Sequence, residues 1–160
     1  MDVKRLGVVC VGGTFDRLHR GHEALLLRAF EVGEKVVIGV SSDAFVGRMQ
    51  KGHEVQPYEE RVEEVRRFLR EKGLEGRTIF VPLEDPYGPA VTDEGIEGIV
   101  VSEETAPVAE EINDIRRQRG MRPLEVFRIE TVLAEDGRPI SSTRIRLGEI
   151  DRRGRILRRG

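Results

Sequence analysis

The segment Gly12–His22, with the sequence GGTFDRLHRGH, separates two apolar stretches of different periodicity. The run GVVCV at 7–11 is continuous, as in a strand buried on both faces, whereas EALLLRAF at 23–30 has the spacing of a helix. A turn with Gly12 and Gly13 at this junction presents unpaired backbone N–H groups and the positive end of a helix dipole, which favour phosphate. A plain connection is the alternative for the two glycines, but the histidines that follow favour a nucleotide site.

The two histidines of this segment, His19 and His22, stand at the predicted start of the helix. Residues three apart share one face of a helix, so both imidazoles can point into one pocket, and Gly21 would let a ligand approach the backbone closely. A zinc site is the competing use, but zinc needs three or four ligands. The chain has one further histidine, His53, and a single cysteine, Cys10, which lies inside the first strand. We therefore interpret the pair as imidazoles directed at phosphate.

The rest of the chain alternates apolar runs with helical patterns. Four more strands are predicted, at 35–40, 78–81, 98–101 and 124–129. Five strands alternating with helices predict an α/β fold with a Rossmann-like, doubly wound, five-stranded parallel sheet. We assign 1–151 to a single domain and 152–160 to a basic C-terminal tail, which we expect to be frayed and solvated. The arginines within 116–119 are expected on a solvated helix face.

Two loops supply further candidate residues. The polar stretch 48–54 resembles a mobile loop, in which Lys51 could close over a triphosphate; an ordinary solvated loop is the alternative. The stretch 82–89 contains three prolines and a glycine and follows a predicted strand, where loops line the ligand crevice of an α/β sheet. Asp85 and Tyr87 are therefore candidate contacts for the second substrate, although a purely structural turn would use the same residues.

The second informative stretch is ISSTRIR at 140–146. Ser141, Ser142 and Thr143 at a helix start place hydroxyl and free N–H groups where anions bind, and Arg146 adds positive charge one turn later. A well-capped short helix is the alternative, but the first motif makes a second phosphate site the better interpretation.

Composition limits the possible partners. The chain has 27 basic and 29 acidic residues, so overall charge gives no argument for nucleic acid or a membrane surface. No apolar run reaches the length of a membrane span. One cysteine cannot form an internal disulfide, which favours the cytoplasm.

The motifs together resemble those of archaeal and eukaryotic phosphopantetheine adenylyltransferase, in the superfamily of nucleotidyltransferases with a His-x-Gly-His motif. Besides the two stretches above, the likeness rests on PYEER at 57–61, DPYGPA at 85–90 and VVSEET at 100–105, and covers roughly 5–151. The resemblance implies transfer of AMP from ATP to 4′-phosphopantetheine, giving dephospho-coenzyme A and pyrophosphate, with Mg²⁺ bound through the ATP phosphates.

The resemblance also implies roles for individual residues. Thr14 would orient the acceptor phosphate, and His22, with His19 beside it, would stabilise charge on the ATP phosphates. Lys51 best matches the family's mobile lysine, although Arg48 is close enough to keep that assignment open. The β- and γ-phosphates would be held by Ser141, Ser142, Thr143 and Arg146.

The sequence departs from the bacterial branch at one position and leaves alternative functions open. The arginine that follows the fourth strand in the bacterial branch is replaced here by Ser102-Glu103, so bacterial acceptor-site assignments there do not transfer. Another member of the superfamily, such as a cytidylyltransferase or an adenylyltransferase for flavin or nicotinamide nucleotides, shares the first motif. A non-catalytic nucleotide-binding module is the alternative of a different class. The sequence does not fix the oligomeric state or the residues that recognise adenine.

Overall fold

Five parallel strands form one sheet in the order β3-β2-β1-β4-β5 in the computed structural model, which describes residues 5–49 and 54–157. The strands are β1 (Leu6–Gly13), β2 (Gly33–Ser41), β3 (Thr78–Leu83), β4 (Gly98–Val101) and β5 (Glu125–Arg128). The helices are α1 (Arg20–Val32), α2 (Asp43–Met49), α3 (Tyr58–Glu71), α4 (Ala106–Gln118) and α5 (Ser142–Arg146), with 3₁₀ turns at Glu75–Arg77 and Gly88–Val91. The predicted α/β class and doubly wound parallel sheet are confirmed.

The strand order reverses direction at β1, which pairs with β2 on one side and β4 on the other. In an open parallel sheet the crevice at such a switch point, outside the carboxyl ends of the strands, is where ligands bind. The segment Gly12–His22 leaves β1 at this point. The fold therefore carries the first motif to the position that the topology favours for a site.

Apolar side chains cover both faces of the sheet. On one face α1 and α3 pack through Leu26 and Leu69, both fully buried, against β1 and β2. On the other face Ile112 of α4 packs with Ile96 and Ile99. Strands buried on both faces explain why β1, β2 and β4 are continuous apolar runs rather than alternating ones.

The C-terminal segment is not frayed over its described part, 151–157. The carbonyl of Arg152 accepts a hydrogen bond from the Arg20 N–H at the start of α1 (3.1 Å), and Glu135 N–H donates to the Gly154 carbonyl (2.7 Å). Ile150 is fully buried and anchors this return of the chain, which the basic composition of the tail did not reveal. The expected frayed end is therefore wrong for these residues.

Arg116 is also buried, although a solvated basic face was expected. Its side chain is 1% exposed, and its guanidinium donates to the carbonyls of Arg122, Ala90, Asp93 and Ile96. Backbone carbonyls supply the acceptors that a buried guanidinium needs, and they leave no trace in the sequence pattern. The helix Ala106–Gln118 itself was correctly predicted.

Candidate active site

A cavity of about 1030 Å³ opens at the carboxyl ends of β1 and β4. Most of the predicted site residues line it together, although they lie up to 134 positions apart in the chain. The lining from the first motif comprises Gly12, Gly13, Thr14, His19 and His22, and the lining from the second comprises Ser141, Ser142, Thr143 and Arg146. The loops after β4 (102–105) and β5 (129–132) complete the walls.

The turn that follows β1 is not built on its glycines, contrary to the sequence prediction. Gly12 and Gly13 are the last residues of β1, in register with Gly39 and Val40 of β2. The left-handed positions are instead Phe15 (φ 55°) and Arg17 (φ 49°). A non-glycine residue in that region costs about 1–3 kcal/mol, so the surrounding contacts must impose this turn.

Hydrogen bonds from outside the turn hold it in place. Gln56 accepts from the Arg17 N–H through Oε1 (2.8 Å) and donates its own N–H to Asp16 Oδ1 (2.9 Å). Asp16 is 5% exposed, and its other carboxylate oxygen pairs with Arg17 Nη1 (2.7 Å). Ser142 Oγ donates to the Asp16 carbonyl (2.5 Å), so the second motif is fastened directly to the first.

The two histidines cap α1 and each other. His19 is the N-cap residue, and its Nδ1 accepts from the Gly21 N–H (3.0 Å). The Nδ1 atom of His22 accepts from the His19 N–H (3.1 Å), which makes a reciprocal capping box. The rings stack with centroids 3.7 Å apart and planes 21° from parallel. The spacing of three residues therefore does more than align the rings: it ties both to the helix start.

This geometry fixes the protonation of both rings. A backbone N–H can only donate, so each Nδ1 must be unprotonated and each Nε2 carries the hydrogen of a neutral imidazole. Burial lowers the pKa of His19 to about 4, with a smaller contribution from the charge of Arg152. Burial, followed by the neighbouring His19, holds the pKa of His22 well below its usual range. At neutral pH the pair therefore provides two Nε2–H donors and no positive charge.

Gly21 lines the cavity and also leaves room for the His19 ring. A Cβ atom on Gly21 would lie 3.1 Å from His19 Nδ1, which is a tight contact, and 2.8 Å from His19 Cε1, which is closer than real Cβ contacts allow. The sequence interpretation, in which Gly21 lets a ligand approach the backbone, stays a prediction, and the structure adds that this glycine also leaves room for the capping imidazole.

The second motif begins a five-residue helix, α5, as predicted. Ser141 is its N-cap and accepts from the Arg144 N–H (3.2 Å), while Thr143 is exposed and Arg146 half-buried at the cavity wall. Arg144 is committed elsewhere, because it pairs with Asp136 and lowers the pKa of that carboxyl to about 2. The basic residue of α5 that lines the cavity is therefore Arg146.

The candidate residues of the two loops differ in their position relative to the cavity. Asp85 is exposed and accepts from the N–H groups of Tyr87 and Gly88 (2.8 Å each), so its carboxylate shapes the turn, and it is not among the residues lining the cavity. Tyr87 does line the cavity, and its hydroxyl donates to Glu111 (2.8 Å). Lys51 lies outside the described residues. Arg48 is 59% exposed in its side chain and donates to the Glu84 carbonyl (2.5 Å).

The sequence interpretation gave no role to Gln56 or Arg61. Both residues form hydrogen bonds with the first motif, Gln56 with Asp16 and Arg17 and Arg61 with the Thr14 carbonyl. Arg61 stands in the apolar stripe of α3 with Val62, Val65 and Phe68, all of them buried. A charged residue at a stripe position was the available signal for a buried guanidinium.

Neither a membrane-crossing helix nor a metal-binding cluster occurs among the described residues. No helix within 5–49 and 54–157 is long and apolar enough to span a bilayer. In the same part of the chain, no three histidine, cysteine or acidic side chains converge as metal ligands.

The chain is similar to known proteins over nearly its whole length. The sequence profile of the cytidylyltransferase-like family matches residues 10–148. A phosphopantetheine adenylyltransferase from Methanothermobacter thermautotrophicus is 52% identical over 156 residues, covering 98% of this chain and 93% of the relative. One from Methanopyrus kandleri is 55% identical over 147 residues, covering 92% of each. A solved structure of a protein of unknown function from Archaeoglobus fulgidus matches with a TM-score of 0.69 at 32% identity, covering 77% of this chain and 88% of that one.

Proposed function

The chain belongs to the cytidylyltransferase-like family and, within it, to the phosphopantetheine adenylyltransferases, and on this premise we propose how its cavity transfers an adenylyl group from ATP to 4′-phosphopantetheine. The products are dephospho-coenzyme A and pyrophosphate, as in coenzyme A biosynthesis. One observation carries the assignment of the site: two neutral imidazoles at the start of α1 and the N-terminus of α5 line the same cavity.

The reaction needs no nucleophile from the protein. An oxygen of the acceptor phosphate attacks the α-phosphorus of ATP, a new P–O bond forms, and the bond from that phosphorus to the β-phosphate oxygen breaks. The electron pair leaves with pyrophosphate, so negative charge grows on the leaving phosphates. Catalysis then consists of in-line alignment and stabilisation of that charge.

The proposed roles combine the family resemblance with the observation that each of these residues lines the cavity. Thr14, directly after β1, orients the acceptor phosphate. The Nε2–H groups of His19 and His22 donate to the oxygens of the transferring and leaving phosphates, and gain strength as charge develops there. The β- and γ-phosphates are received by Ser141, Ser142, Thr143 and Arg146 at the start of α5.

Mg²⁺ is proposed as a metal that enters with the triphosphate. The ion is proposed to be held chiefly by phosphate oxygens, as Mg²⁺ commonly is where it binds together with a nucleotide. When bound, it would supply positive charge between the phosphates. The described residues of the first and second motifs remain responsible for alignment and hydrogen bonding.

A cytoplasmic location is proposed from cysteine usage. The single cysteine, Cys10, is buried in β1, and burial raises the pKa of its thiol to about 12, so it stays protonated and unreactive. A protein of this kind needs no oxidising compartment.

The acceptor is tested by measuring pyrophosphate release from ATP and Mg²⁺. Reactions are run in parallel with 4′-phosphopantetheine, nicotinamide mononucleotide and a cytidylyl acceptor, the last with CTP in place of ATP. We expect turnover with phosphopantetheine alone. Turnover only with another acceptor would move the chain to a different branch of the family, and ATP binding without turnover on any acceptor would indicate a regulatory module.

A further inference from the structure

Arg61 is a buried cation behind the site. Its side chain is 0% exposed, and it is not among the described residues that line the cavity. A guanidinium removed from water must find acceptors for its N–H groups. Nε donates to the Gln56 carbonyl (2.7 Å), Nη1 to the carbonyls of Thr14 and Ser41 (2.8 Å each), and Nη2 to Asp43 Oδ1 (3.1 Å).

These four acceptors come from three segments of the chain that meet at the carboxyl edge of the sheet. Thr14 follows β1, Ser41 ends β2, Asp43 begins α2 and Gln56 precedes α3. A guanidinium is a rigid planar fork, so it fixes the relative positions of its acceptors as a flexible ammonium group does not. Arg61 therefore sets where the end of β1 lies relative to its neighbours.

Gln56 extends this control into the strained turn. Arg61 holds the Gln56 backbone, and the Gln56 amide and N–H in turn hold the Arg17 N–H and the Asp16 carboxylate. Phe15 and Arg17 have left-handed backbone angles. The turn that contains them is therefore stabilised by hydrogen bonds that lead from Arg61 through Gln56.

We propose that Arg61 is a positioning residue for adenylyl transfer. It fixes the Thr14 peptide directly and the rest of the turn through Gln56, and so sets the acceptor phosphate in line with the α-phosphorus. Since Arg61 is buried and does not line the cavity, this role is exerted through the backbone and not by contact with a substrate. The inference rests on the proposed function, because it concerns the alignment of that acceptor.

Arg116 is a matched control. It is 1% exposed and its guanidinium also ends on backbone carbonyls, among them those of Arg122 (2.7 Å) and Ile96 (3.2 Å), which precede β5 and β4. None of its hydrogen-bond partners in the described chain belongs to the turn between β1 and α1. Arg116→Lys therefore removes a buried fork and leaves the contacts of that turn intact, although one acceptor, the Ala90 carbonyl (2.8 Å), belongs to a residue of the cavity wall.

The test compares Arg61→Lys with Arg116→Lys at a temperature well below the unfolding transition of both. We expect Arg61→Lys to lower kcat by about 100-fold, the effect of a misplacement near 1 Å, with the ATP dissociation constant changed less than about threefold. Arg116→Lys should lower Tm but keep kcat within about threefold of wild type. A merely structural Arg61 would give the two variants the same kcat at the same loss of Tm, and that result would overturn the proposal.

Gln56→Ala decides the matter if Arg61→Lys does not fold. Gln56 is half-buried, and the variant keeps the backbone carbonyl that Arg61 uses while losing the Oε1 contact to Arg17. We expect kcat to fall about tenfold with ATP binding unchanged; an unchanged kcat would overturn the proposal. Wild-type turnover with phosphopantetheine is measured first. Its absence would refute the function itself, whereas an active wild type with fully active variants would refute only the role of Arg61.

Discussion

His22 combines two tasks that chemistry can separate. Its Nδ1 accepts from the backbone of His19, and its Nε2–H is the group proposed to meet phosphate. Asparagine places an oxygen where Nδ1 stands and has nothing at Nε2, whereas glutamine reaches the Nε2 position but gives up the capping acceptor. The two substitutions therefore divide helix capping from catalysis.

We expect His22→Asn to lower kcat by 100-fold or more, on the order of what one lost donor to a developing charge costs, with ATP affinity changed only a few-fold. Single-turnover kinetics and equilibrium ATP binding measure the two quantities. His22→Gln serves as the control and should retain more kcat while losing stability. Equal losses of kcat and affinity in His22→Asn would remove His22 from the chemistry.

The identity of the cation proposed to contact the triphosphate is a second question at the level of single residues. Arg48 already donates to the carbonyl of Glu84, whereas Lys51 lies outside the described part of the chain and is assigned by resemblance alone. We expect Lys51→Ala to reduce kcat/KM for ATP at least tenfold more than Arg48→Ala, on the order of one charge-assisted hydrogen bond. Steady-state kinetics with ATP varied would show it, and the reverse order would reassign the role to Arg48.

At the level of elements, the start of α1 depends on a residue that carries no side chain. Gly21 leaves room for the His19 ring, so the helix, its cap and the proposed donors form one unit. A methyl group there must displace the imidazole, because the ring lies against the backbone.

Gly21→Ala is therefore expected to lower kcat at least tenfold, despite the better helix propensity of alanine. Gly47→Ala is the matched control, because Gly47 lies in α2 with no atom within 4 Å of an added Cβ. It should keep kcat and gain roughly 0.5–1 kcal/mol of stability. Measuring kcat and the free energy of unfolding for both variants tests the pair, and full activity in Gly21→Ala would refute the steric argument.

The region around α1 shows which structural features could be predicted from the sequence and which could not. Apolar periodicity was sufficient for β1 and α1, and the hydroxyl residues at 141–143 were sufficient for the start of α5, because these features depend on neighbours in the chain. It could not place the left-handed residues Phe15 and Arg17, since contacts from Gln56, 40 residues away, impose them. The burial of Arg61 and Arg116 could not be predicted for the same reason, because their carbonyl acceptors come together only in the folded chain.

At the level of the whole molecule, we expect the neutral histidines to make the free energy of unfolding depend on pH. The pKa of His19 is lowered to about 4 in the folded protein and is near 6.5 when the chain unfolds. Between these values the unfolded chain binds more protons, so the contribution to stability is complete above pH 6.5 and is lost as the pH falls toward 4. Protonation also removes the Nδ1 acceptors that cap α1.

We expect the free energy of unfolding to fall between pH 7.5 and pH 5, with about 2 kcal/mol of the loss due to His19. Denaturant titrations at the two pH values measure it. His19→Asn retains an acceptor for the Gly21 N–H and cannot titrate, so its loss on acidification should be smaller by that amount. An equal loss in both proteins would mean that His19 is not held neutral by the fold.

The central claim is that this cavity moves an adenylyl group, and the fate of the α-phosphate tests it most directly. ATP labelled at the α-phosphorus is incubated with 4′-phosphopantetheine and Mg²⁺, and a parallel reaction uses label at the γ-phosphorus. The account predicts that the α-label appears in dephospho-coenzyme A and the γ-label in pyrophosphate. Transfer of the γ-label to the acceptor, or retention of the α-label in unreacted nucleotide, would contradict it.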